Sequence, residues 1–127
     1  MIKDVSIVFP GEGLTTGCEV EEIGKDLYIL REHPLMSDSA MYGDTIEAVE
    51  DSPGQIRFVK VVQESDSQMY DFILTKEIVE SEQFKKLKVR LSDNNIFWQN
   101  DFGGCFTCFV PQGCSIDIEH EIKQIIT

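Results

Sequence analysis

The hydrophobic pattern changes its period near residue 75, and that switch confines the chain to folds that combine a sheet with helices. Up to Leu74, apolar and polar residues alternate in short runs cut by turn residues, the signature of half-buried strands. Beyond Thr75 the apolar residues recur at helical spacing, as with Ile78, Phe84, Leu87 and Leu91. The expected class is therefore α+β.

The first half reads as five or six short strands. Residues 5–9 end at Pro10-Gly11, and a second strand covers residues 16–23, where Cys18 and Val20 alternate with Glu19 and Glu21. One face of that strand is expected to be buried and the other to carry carboxylates. Gly24-Lys25-Asp26 turns the chain into a strand over residues 27–32, and a longer loop follows from His33 to Met41. A strand over residues 42–50 closes at Asp51-Ser52-Pro53-Gly54, where proline fixes φ and glycine accepts a positive one. Returning strands are expected over residues 56–63 and 69–74. Strands this short and this closely spaced point to a strongly bent antiparallel sheet or partial barrel.

The second half predicts one helix from Thr75 to about Leu91, a hairpin of residues 96–100 and 105–110, and a terminal helix capped by Ser115. From residue 69 onward, strand, helix, hairpin and helix make a ferredoxin-like unit without its final strand. The expected organisation is a single domain over residues 1–127, divided into a β-rich acidic half (1–68) and an α+β half (69–127).

Charge separates these halves. The chain carries 23 Asp and Glu against 11 Lys and Arg, a formal net charge of −12. Residues 1–74 hold 15 acids and 5 bases, whereas residues 75–127 hold 8 acids and 6 bases. Such a surface repels phosphate backbones and steers basic partners. Nucleic acid is therefore not an expected partner, and the basic cluster Lys85, Lys86, Lys88 and Arg90 reads as a solvated helix face. No run is long and apolar enough to cross a bilayer, and the first residues lack the apolar stretch of a signal peptide. The expected location is cytoplasmic, with the four cysteines as reduced thiols.

The residues Glu19-Val20-Glu21-Glu22-Ile23-Gly24, Leu27-Tyr28-Ile29-Leu30, Pro34-Leu35, Tyr42-Gly43-Asp44-Thr45-Ile46-Glu47-Ala48 and Phe58-Val59-Lys60-Val61-Val62 carry a resemblance to a known family. Together they resemble a bacterial domain family of unknown function, the one numbered four-two-six-five. The Gly43-Asp44 turn followed by a strand is its most specific part. The resemblance implies a small bacterial cytosolic domain and carries over no functional residue.

Cys105-Phe106-Thr107-Cys108 has the spacing of redox and zinc sites, but positions i and i+3 of a strand face opposite sides. A tetrahedral zinc would need further ligands from Cys114, Cys18, His33 or His120. Neither histidine lies near an obvious nucleophile, and no phosphate loop, G-x-S-x-G or H-E-x-x-H occurs. No catalytic, metal or cofactor site is expected. The expected function is that of an acidic protein-binding module, of the immunity or inhibitor type, that neutralises a basic toxin such as a nuclease. The candidate contact residues are Glu19, Glu21, Glu22, Glu47, Glu50 and Asp51, with Trp98 as an aromatic anchor. The alternative is a small metal- or thiol-dependent enzyme centred on the C-terminal cysteines.

Overall fold

In the computed structural model, which describes residues 1–126, the chain is mixed α+β and mostly strand. It divides into two compact units, Met1–Asp66 and a second that begins at Ser67. The boundary falls within the Glu64-Ser65-Asp66-Ser67 polar break, and each unit has its own core.

The first unit is a closed five-stranded barrel of β1 (Ile2–Phe9), β2 (Leu14–Gly24), β3 (Leu27–Leu30), β4 (Thr45–Ser52) and β5 (Gln55–Gln63). Neighbours in the chain pair antiparallel, and β1 meets β5 in parallel at Ser6↔Gln55, Ile7↔Ile56 and Val8↔Arg57. That last pairing closes what the sequence presents as a bent sheet or partial barrel. With four antiparallel steps the first and last of five strands must run the same way, and the closure removes both edges. The period-two pattern places Val5, Ile7 and Phe9 of β1, Cys18 and Val20 of β2, and Ile46 and Ala48 of β4 inside.

Two carboxylates fasten the loops. Asp44, 4% exposed, accepts the Met41 N–H through Oδ2 at 3.0 Å and the Ser65 N–H through Oδ1 at 2.8 Å. Gly43 beside it has φ +88°, and a Cβ there would stand 2.8 Å from Ser65 Oγ, so the Gly-Asp turn is required twice over. Glu12 accepts Ser37 Oγ at 2.7 Å, Ser39 Oγ at 2.6 Å and the Asp38 N–H at 2.9 Å, which holds the long loop against the β1–β2 turn. These bonds hold the Glu12 carboxyl below the usual range, Ser39 contributing most.

The second unit has a three-stranded sheet in the order β6-β8-β7, from β6 (Gln68–Ile73), β7 (Phe97–Asp101) and β8 (Cys105–Val110), both pairings antiparallel. The helix expected from Thr75 to Leu91 is two helices, α1 (Lys76–Val79) and α2 (Glu82–Asp93). Ser81 is the reason: its hydroxyl accepts the Phe84 N–H at 3.2 Å and donates to the Ile78 carbonyl at 2.7 Å, ending one helix and capping the next. The terminal helix α3 (Ile118–Ile126) is capped by Asp117 rather than Ser115, since Asp117 Oδ1 accepts the His120 N–H at 3.1 Å. Phe84, Leu87 and Leu91 of α2 and Ile118 and Ile122 of α3 join Phe106 and Cys108 of β8 in the core. Gly104 lets the β7–β8 turn approach the end of β6. Leu74 donates its N–H to the Gly104 carbonyl at 2.8 Å, and a Cβ at 104 would lie 2.4 Å from the Leu74 carbonyl oxygen.

Candidate functional site: an acidic hollow on the barrel wall

The six candidate carboxylates lie on the barrel but do not form one surface, because bases of the same unit neutralise half of them. Arg31 donates to Glu21 through Nε at 2.9 Å and also through its terminal nitrogen, which holds the Glu21 carboxyl below its ordinary value. Glu22 pairs with Lys3 at 3.1 Å and raises the Lys3 pKa, and Asp51 pairs with Arg57 at 3.6 Å. Glu47 stands opposite Lys60 in the β4–β5 register. Glu50 is exposed, and its charge is felt at Lys3 and Tyr28. Burial chiefly raises the Tyr28 phenol, with Glu22 and Glu50 adding to it.

Glu19 is different. In the β1–β2 register it faces Asp4, two like charges directly opposite one another, and its backbone N–H donates to Glu32 Oε1 at 2.7 Å. Asp4, Glu32 and Cys18 line a hollow of about 410 Å³ with Val5, Ser6, Gly17 and Gly54. Its floor is made of small residues: Ser6 pairs with Gly17, and Ser6 donates its N–H to the Gly54 carbonyl at 2.9 Å. A Cβ at Gly17 or Gly54 would meet nothing within 4 Å, so at Gly17 the missing side chain opens space instead of relieving a clash. Among the described residues no base lines this hollow.

The Cys18 thiol registers the local field. Burial pushes it up to about 12, and Glu32, Glu19 and Asp4 push in the same direction. It remains a neutral donor, 3.4 Å from the Glu32 carbonyl, and cannot act as a thiolate nucleophile near neutral pH. Asp4 and Glu32 escaped the sequence reading. For Asp4 the signal lies in the Pro10–Gly13 turn, because pairing Phe9 with Leu14 across it sets Asp4 opposite Glu19.

Trp98 belongs to the second unit and serves its interior. It is half-buried against Phe106, with ring centroids 6.0 Å apart, and its Nε1–H donates to Ser92 Oγ at 2.9 Å. Lys88 Nζ lies 5.1 Å from the centroids of both Trp98 and Phe84. The neighbouring bases are engaged as well: Lys85 pairs with Glu82 at 3.6 Å, and Arg90 pairs with Glu121. Thus Trp98 packs α2 onto the sheet instead of projecting as an anchor.

Cys105 and Cys108 take opposite faces of β8. Cys108 is fully buried in the core, where burial pushes its thiol up to about 12, while Cys105 pairs across the sheet with Asp101 and Ile73. Among the described residues no group of three or more His, Cys, Asp or Glu side chains converges with metal-holding geometry, and no helix is long and apolar enough to cross a membrane.

No family model matches the chain, and no curated protein matches it. In fold the chain is similar to a hypothetical protein from Neisseria gonorrhoeae whose crystal structure is solved, at a TM-score of 0.60 and 11% identity, covering 98% of this chain and 86% of that one. The likeness establishes the shared architecture.

Proposed function

We propose that the chain is an acidic protein-binding module, of the immunity or inhibitor type, which receives a lysine or arginine of a basic partner in the hollow lined by Asp4 and Glu32, beside Glu19. A toxin with a phosphate-binding cleft, such as a nuclease, has the required chemistry. The observation that carries this reading is the Asp4–Glu19 pair: like charges directly opposite on adjacent strands destabilise a sheet, and here Asp4 lines an open hollow with no base among its described lining residues. An incoming guanidinium or ammonium would relieve the repulsion and find carboxylates on a floor of small residues. The resemblance to the family numbered four-two-six-five accords with the Gly43-Asp44 knot, and the β6-β8-β7 order accords with a ferredoxin-like unit lacking one strand.

The test is affinity capture from lysate of the source cells with three baits: wild type, Asp4→Asn combined with Glu19→Gln, and Gly17→Val. Valine suits a strand and fills the hollow while leaving every charge in place. A basic protein retained by wild type and lost by both variants supports the proposal. Capture that ignores both changes, or the absence of any basic protein, overturns it.

A further inference from the structure

The second unit offers a different surface. In the order β6-β8-β7, β6 is hydrogen-bonded to β8 alone, so one edge of this strand is open among the described residues. Its six residues stay accessible, with Ile73 84% and Met69 39% exposed and Asp71 exposed between them. Phe72 points the other way, toward the core, and with Ile122 and Ile126 of α3 it lines a groove of about 520 Å³. Asp117, Glu119, His120 and Lys123 complete that groove.

A strand laid along β6 would gain main-chain hydrogen bonds from the edge. Its side chains would fall alternately toward Met69, Asp71 and Ile73 on one face and into the α3 groove on the other. Charge selects the occupant. The edge and groove together carry Asp71, Asp117 and Glu119 against Lys123, on a chain of net charge −12. A second copy would bring its own Asp71 and no base in β6, setting acid against acid. We propose that β6 and the α3 groove accept an extended segment of a partner protein, apolar at alternate positions and basic between them, as a fourth strand. This site does not depend on the barrel hollow.

The experiment uses the full chain and a set of heptapeptides with Val, Ile or Leu at alternate positions and Lys or Arg between them. Binding is followed by calorimetry and by amide hydrogen exchange. The expected result is saturable one-to-one binding that slows exchange at Met69–Ile73. N-methylation of one alternate set of peptide residues should abolish it, and N-methylation of the other set should be tolerated. Asp71→Lys and Glu119→Lys, both at exposed positions, should each weaken binding on the order of tenfold. Gly17→Val should leave binding unchanged, which separates this site from the barrel hollow. The proposal is overturned if no peptide binds up to millimolar concentration, if both N-methylated sets bind as well as the parent, or if protection of β6 arises from dimerisation of the chain alone.

Discussion

Replacing Asp44 by alanine should destabilise the first unit strongly. The carboxylate is 4% exposed and accepts two backbone N–H groups, from the half-buried Met41 and Ser65, which lose that acceptor once it is gone. Each stranded donor costs about 1–3 kcal/mol, so Asp44→Ala should destabilise the unit by about 2–6 kcal/mol. Whole domains of this size are stable by only about 5–15 kcal/mol. Asp44→Asn keeps one acceptor and turns an amide donor toward the other N–H, so its cost should be roughly half as large. The assay is native-state hydrogen exchange at core amides of the barrel, such as those of Val20, Leu30 and Ile46. A loss of about 2 kcal/mol appears there as roughly thirtyfold faster exchange where protection reflects opening of the unit. If Asp44→Ala changes exchange less than about tenfold, water reaches those two donors and the burial argument is wrong.

Four further outcomes are expected. Gly104→Ala should destabilise the second unit by about 1–3 kcal/mol, because a Cβ 2.4 Å from the Leu74 carbonyl forces the backbone apart. Urea unfolding followed by Trp98 fluorescence measures this, and an unchanged midpoint would contradict the close approach. Alkylation of the native protein near neutral pH should reach Cys105 and Cys114 before Cys18 and Cys108, whose thiols are pushed up to about 12, and equal labelling of all four would refute that burial. Because folding depresses the Glu12 pKa, its hold on residues 37–39 is present above the ordinary glutamate value of 4.5 and is lost as pH falls through the lowered one. The Asp38 amide should therefore exchange faster only in acid, and loosening near neutrality would contradict the assignment. Finally, Asp4→Asn or Glu19→Gln should stabilise the barrel by about 0.2–1 kcal/mol while abolishing partner capture, and destabilisation by either would mean that a base already lies between them.

Local pattern carried most of the element identities. Alternation marked Val5, Ile7 and Phe9, Cys18 and Val20, and Ile46 and Ala48 as inward-facing because each strand has one face on the core. What stayed hidden was non-local or rested on single hydroxyls and carboxylates. The parallel contact of Ser6 with Gln55 joins strands that no local turn connects, so barrel closure has no local signal. Ser81 looked like an ordinary residue within a helical run until both of its hydrogen bonds were seen. Asp117 outcompetes Ser115 as a cap because Ile118, not Ile116, begins the buried stripe.

The candidate site shows the same division between what a sequence displays and what a register decides. Composition announced the acidic barrel, with 14 carboxylates against 5 bases through residue 66. Composition could not say which carboxylates find a cation, since Arg31 reaches Glu21 from ten residues away and Lys3 reaches Glu22 across the β1–β2 pair. Pairing removes a charge from the field a partner senses and stabilises the barrel. A facing pair without a base does the opposite, adding to the field at a cost in stability. A selective acidic binding surface therefore consists of the carboxylates the fold leaves uncompensated. In this barrel Asp4 and Glu19 are among them, joined by Glu32 through its hold on the Glu19 N–H, and the open floor at Gly17 lets another molecule reach Asp4 and Glu32.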